Sequence, residues 1–182
     1  MIPFRHVTRL AAIAAVALSA STSTLSAQGH PQTRQGFWLT AGLGAGSRGC
    51  EGCDDRRGGV VGQLALGGTI SPRFQLGASY NLWTREDDGV TGSQSGLMAL
   101  AKFYPAARGG FFMQGGLGVG QLKTQRRNVS VTEDGTSALI GVGYDLRVAR
   151  NFSVTPFANL VGGQFDGNSA NFNQLGFSLT WH

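Results

Sequence analysis

The sequence predicts an all-β protein: an eight-stranded antiparallel up-and-down transmembrane β-barrel, preceded by a cleaved signal peptide. Three observations carry this reading. Alternation of apolar with small or polar residues recurs in eight segments. The apolar face of every such segment is free of charge. The connections alternate between long polar stretches and short turns.

The leader comes first in the chain. Arg5, His6 and Arg9 precede the apolar run Leu10–Ala20, and small residues lead to a cleavage site expected between Ala27 and Gln28. A run of 11 residues is shorter than the roughly 20 a helix needs to span a bilayer core. Residues 1–27 therefore read as a signal peptide, 28–36 as a short periplasmic N-terminal extension and 37–182 as the barrel. Removal of Arg5 and Arg9 leaves 13 Lys and Arg against 10 Asp and Glu, a net charge of +3. That balance is too weakly basic for a nucleic-acid partner. The 29 glycines disfavour helices.

The strands follow in order. Phe37, Leu39, Ala41, Leu43 and Ala45 alternate with Trp38, Thr40, Gly42, Gly44 and Gly46. Val60, Leu64, Leu66 and Ile70 alternate with Val61, Gln63, Ala65 and Thr69; Phe74, Leu76, Ala78, Tyr80 and Leu82 alternate with Gln75, Gly77, Ser79 and Asn81. Leu97, Ala99, Ala101 and Phe103 face away from Lys102, with Met98 and Leu100 blurring the pattern. Phe111, Met113, Leu117 and Val119 oppose Gln114, Gly116, Gly118 and Gly120. Ala138, Ile140, Val142, Tyr144 and Leu146 oppose Ser137, Gly141, Gly143, Asp145 and Arg147. Phe152, Val154, Ala158 and Leu160 oppose Ser153, Thr155 and Asn159, with Phe157 and Val161 as exceptions. Leu175, Phe177, Leu179 and Trp181 oppose Gln174, Gly176, Ser178 and Thr180.

Segments of about 10 to 12 residues suffice for tilted strands to cross a bilayer. Residues 47–58, 84–94, 123–135 and 164–171 read as long polar loops at one end; 71–72, 105–110 and 148–151 read as tight turns at the other. Nine of the ten acidic residues fall in the long connections, and the tenth, Asp145, falls on the inward face. Because Lys or Arg facing lipid at the midplane costs about 2–4 kcal/mol, a charge-free apolar face fits hydrocarbon. An even strand count places both termini on the periplasmic side.

This grammar, the phrase "GYDLRVARNFSVTPFANLVGG" (Gly143–Gly163) and the last strand "NQLGFSLTWH" resemble the small eight-stranded outer-membrane β-barrels of the OmpA-like and opacity-protein (porin-like) type. The resemblance covers the whole mature chain. It implies a monomer in the outer membrane of a Gram-negative-type bacterium, with loops outside and partners among outer-membrane lipid and lipopolysaccharide. It also implies that the barrel-insertion machinery reads the terminal strand at Phe177, Leu179 and Trp181; His182, after the aromatic, departs from that pattern.

Several motifs invite chemistry. Gly42, Gly44 and Gly46 suggest a phosphate loop, but no helical period follows them, so they read as relief of crowding on the barrel's inner face. Cys50 and Cys53 have metal-knuckle spacing; the histidines His6, His30 and His182 lie elsewhere, so no metal or other cofactor is expected. An exported pair is expected to form a small-ring disulfide, with a reactive or metal-binding pair as the alternative. The acidic stretches at 53–57 and 84–89 lack the spacing of a calcium loop. Lys123, Arg126 and Arg127 are candidates for contact with lipopolysaccharide phosphates. Lys102, Asp145 and Arg147 form an expected interior ionic cluster near the short-turn end, with Asp145 pairing to Lys102 or Arg147.

The function read from these features is non-enzymatic, with surface loops serving envelope integrity or surface interaction. One alternative is OmpW-like passage of small hydrophobic compounds. Another is a lipid A-modifying barrel enzyme, set against the lack of a histidine at the outer leaflet. A lipocalin, suggested by Gly36–Trp38, would need its apolar faces turned inward.

Overall fold

The computed structural model describes residues 33–50, 55–126, 129–165 and 168–182; residues 1–27, expected to be a signal peptide, lie outside them. Among the described residues the strands are β1 (Phe37–Cys50), β2 (Arg57–Ser71), β3 (Phe74–Asp87), β4 (Val90–Phe103), β5 (Phe111–Arg126), β6 (Val129–Tyr144), β7 (Leu146–Ala149), β8 (Phe152–Phe165) and β9 (Asn168–Trp181). All pair antiparallel, and β1 pairs with both β2 and β9, from Leu39 opposite Trp181 to Cys50 opposite Ala170, which closes the sheet on itself. β6 and β7 form one stave interrupted at Asp145. β8 pairs with β6 as far as Phe157 opposite Gly143 and with β7 from Val154 opposite Leu146. Pro156, which has no N–H to give a ladder, stands at that interruption. The barrel thus has the eight staves that the alternation predicts.

The apolar face points outward. Leu117, Ile140 and Phe177 are 73 %, 68 % and 67 % exposed. A soluble monomer rarely shows apolar patches beyond a few hundred Å², whereas this belt runs around every stave. At the short-turn end it is bordered by Phe37, Phe74, Phe103, Phe111, Phe152 and Trp181, with Phe37 against Trp181 and Phe74 against Phe103 at 6.2 and 6.0 Å between ring centres. Such a ring marks a membrane–water boundary. Leu117→Arg is expected to destabilise the barrel folded in lipid by about 2–4 kcal/mol, and Gln125→Arg, above the belt, by about 0–1 kcal/mol. Urea titrations of both variants in the same bilayer check this.

The residues that break the alternation, Met98, Leu100, Phe157 and Val161, are buried inside. Around them lie amides and hydroxyls. Asn159 joins three staves: its Oδ1 accepts from Gln114 Nε2 at 2.7 Å, and its Nδ2 donates to Gln63 and Gln174, each at 3.0 Å. Thr40 and Thr180 share a hydrogen bond of 3.0 Å across the β1–β9 seam. Trp38 and Phe112 fill the short-turn end, and Trp83, Phe165 and Phe172 fill the other. An eight-stranded barrel leaves an interior just wide enough for side chains, and here they fill it.

One expectation is corrected. Residues 84–94, 123–135 and 164–171 are not long loops: the strands continue through them to pairs Asp87–Val90, Arg126–Val129 and Phe165–Asn168. Backbone pairing does not require lipid, so ladders persist where the side chains turn polar. The β3–β4 turn is Asp88–Gly89 with φ of 48° and 73°, the left-handed pair that a tight hairpin needs and that Asp-Gly supplies.

Candidate functional site

The lower mouth, at the short-turn end, gathers the buried charges. Asp145, 1 % exposed, occupies the break between β6 and β7. Its Oδ1 accepts from Thr155 Oγ1 at 2.7 Å and its Oδ2 from Tyr104 Oη at 3.0 Å. Arg34 approaches the same Oδ2 at 4.0 Å. The Arg34 guanidinium lies 3.5 Å from the centre of the Tyr104 ring and donates to the carbonyls of Ala107 and Gly109. Burial first, and then the Asp145 carboxylate, push the Tyr104 phenol well above its ordinary pKa, which keeps it a donor.

The three residues expected to cluster are all buried at this mouth. The Lys102 ammonium sits 4.3 Å from the centre of the Trp38 ring and 5.1 Å from that of Phe112, a cation–π cage. Arg147 donates to the carbonyls of Arg150 and Thr33, at 3.1 and 2.6 Å. Asp145 also pairs with Arg34, which no sequence pattern singles out. Tyr104 had a signal: it continues the inward series Met98, Leu100, Lys102 of β4. Arg34 had none, because it precedes the first strand. Its placement makes the described part of the N-terminal extension a stopper in the mouth.

His182 follows β9 here, its backbone N donating to Asn151 O at 2.9 Å and its Nε2 lying 3.0 Å from Ser153 Oγ. A serine beside a histidine invites a nucleophile-and-base reading. Three facts oppose it. Ser153 has no exposed surface, His182 Nδ1 has no hydrogen-bond partner to orient the ring, and burial, followed by repulsion from Arg147, lowers the imidazole pKa to about 4. A folded-state pKa below the ordinary value of about 6.5 means that the fold favours the neutral ring. That contribution is present above about pH 6.5 and lost as pH falls toward 4. Thermal unfolding midpoints should therefore fall across this window in the parent protein, and less in His182→Gln.

At the opposite end, Lys123 lies between Ser93 and Thr132 on neighbouring staves. Alternation along β5 puts it on the outer face with Val119 and puts Arg126 on the opposite face with Gly120; Arg127 lies outside the described residues. Of the two described candidates, Lys123 is therefore the one on the outer wall. Cys50 ends β1, while Cys53 lies outside the described residues, as does His30. Phe177, Leu179 and Trp181 line the outer face of β9 at every second position.

No family model matches the chain, and no curated protein sequence matches it significantly. Solved structures do. Neisserial surface protein A is similar at 13 % identity, covering 82 % of this chain and 98 % of that one, with a TM-score of 0.65. Ail, the attachment invasion locus protein of Yersinia pestis, is similar at 16 % identity, covering 82 % of this chain and 100 % of that one, with a TM-score of 0.55. Its complex with the heparin analogue sucrose octasulfate is similar at 14 % identity over the same shares, with a TM-score of 0.56. Closed, belted in apolar side chains and filled within, this chain has the fold of the small eight-stranded outer-membrane barrels.

Proposed function

We propose that the protein is a non-enzymatic outer-membrane barrel that acts through contacts made at its long-hairpin end, in surface interaction or envelope integrity. The observation that carries this reading is the filled interior. Amides around Asn159 occupy the middle, aromatic rings occupy both ends, and Arg34 stops the lower mouth. The surface left for work is the set of hairpins standing beyond the apolar belt. In this reading both termini are periplasmic, the hairpins face outside, and residues 1–27 are the export signal. Cys50 and Cys53 form a disulfide in the first outer loop, the barrel-insertion machinery reads Phe177, Leu179 and Trp181, and the barrel is a monomer.

Lys123, with the hydroxyls of Ser93 and Thr132 beside it above the belt residues Leu97 and Val119, is suited to a lipopolysaccharide phosphate. That the similar Ail barrel is also known in complex with the heparin analogue sucrose octasulfate supports a polyanion as the class of partner. Lys123→Ala is expected to weaken binding of purified lipopolysaccharide by about fivefold, as loss of one charged contact does, against an unchanged Arg73→Ala control at the other end.

The location is tested by gel mobility with and without heating, on protein from the outer-membrane fraction: a heat-dependent shift in that fraction supports the reading. Liposome uptake tests the transport alternative. Accumulation of a small hydrophobic probe in proteoliposomes above empty liposomes would favour OmpW-like passage instead.

A further inference from the structure

Each of the three tight turns carries one exposed arginine just before the phenylalanine that starts the next strand: Arg73 before Phe74, Arg108 before Phe111 and Arg150 before Phe152. Among the described residues none of these three guanidinium groups has a hydrogen bond or ion pair. The one Asp or Glu described at this end, Asp145, is buried in the mouth and turned away from the rim. At the opposite end the signs are mixed, and Arg85 pairs with Asp87 at 3.0 Å. The arginine-bearing turns are also held from inside. Arg73 O accepts from Tyr104 N at 2.9 Å, Arg150 O accepts from Arg147 Nη1 at 3.1 Å, and the carbonyls on either side of Arg108 accept from Arg34. Buried groups thus fix the turn backbones, while the three side chains are left to the outside.

We propose that Arg73, Arg108 and Arg150 are headgroup sites that select anionic phospholipids in the leaflet at the short-turn end. Their height decides what they meet. Phe74, Phe111 and Phe152 belong to the aromatic ring at the membrane–water boundary. A long side chain rooted just beyond that ring places its charge in the headgroup layer. There a guanidinium can give two parallel hydrogen bonds to a phosphodiester. A zwitterionic headgroup brings its own ammonium to compete for that phosphate, and an anionic headgroup does not. Attraction of a basic side chain to an anionic membrane surface corresponds to about a fivefold preference per arginine. The three turns are two staves apart, roughly 10 Å or more at the spacing of strands in a sheet, so each arginine acts on a separate lipid. That this leaflet faces the periplasm rests on the proposed orientation.

Trp181 supplies the probe. Trp38 and Trp83 are buried in the interior, whereas Trp181 faces lipid in the boundary ring, opposite Phe152 and so beside the turn that holds Arg150. The full barrel is placed in phosphatidylcholine nanodiscs in which a fraction of the lipid, either phosphatidylglycerol or phosphatidylcholine, is brominated near the headgroup end of its chains. Quenching of Trp181 then reads which lipid stands there. The expected result is about a fivefold preference for phosphatidylglycerol, lost in Arg150→Gln and kept in Arg150→Lys. Arg108→Gln, on the turn across the barrel, should also keep it. Equal quenching by the two lipids would overturn the proposal. So would a preference that Arg150→Gln retains, or one that Arg108→Gln removes as fully. Each variant is checked first for the heat-dependent gel shift, so that a misfolded barrel is not read as lost selectivity. Both leaflets of a nanodisc hold the same lipids, so the quenching result stands whatever the orientation. Maleimide labelling of Ser130→Cys on intact cells tests the orientation separately.

Discussion

Asp145→Asn is expected to lower the stability of the folded barrel by about 3 kcal/mol, the scale on which removing one partner of a buried ionic group acts. Arg34, Lys102 and Arg147 are 2 %, 3 % and 5 % exposed, and Asp145 is the buried anion among them. The amide would still accept from Thr155 or Tyr104, so shape and most hydrogen bonding survive while the compensating charge is lost. Arg34→Met, in contrast, removes a cation from a carboxylate that Thr155 and Tyr104 continue to satisfy, and should cost less. The double variant should recover part of the Asp145→Asn loss, with a coupling of about 0.5–3 kcal/mol, as expected for neighbours in one network. Urea unfolding of the four proteins in the same detergent measures it. A single-variant cost below about 1 kcal/mol would mean that water at the mouth solvates the charges.

How much of this was legible beforehand depends on what each residue answers to. The lipid face was legible because hydrocarbon accepts one kind of side chain: Leu117, Ile140 and Phe177 point where alternation places them. The interior was half legible. Gln63, Gln114 and Asn159 fell on the inward face by parity, but their meeting across staves is set by the stagger of the strands, which no local pattern encodes. The buried charge Asp145 was found for the same reason as the lipid face, since it breaks a rule. Its partner Arg34 was not, because it reaches the mouth from outside any periodic segment. Strand length was underestimated because apolar alternation ends at the water boundary while backbone pairing does not. The Asp88–Gly89 turn was the readable exception, and it lay inside a stretch taken for a loop.

The closing seam offers the sharpest test of the interior glycines. Gly44 on β1 stands opposite Gly176 on β9. A Cβ added at Gly44 would lie 2.1 Å from Leu175 O and 2.7 Å from Gly176 Cα, and one at Gly176 would lie 2.3 Å from Leu43 O. Both clashes are with backbone, so no side-chain rotation relieves them, and the strands must separate at the pair that joins the two ends of the sheet. Gly44→Val or Gly176→Val is accordingly expected to cost about 3 kcal/mol or more, the upper range for overpacking. Its signature is loss of the heat-dependent gel shift, because a barrel open at β1–β9 leaves strand edges that lipid cannot satisfy. Gly68, beside the same seam strand on β2, meets nothing within 4 Å, so Gly68→Ala should keep the shift. If Gly44→Val closed as readily as Gly68→Ala, the glycines on the inner face would not be there to let the strands meet.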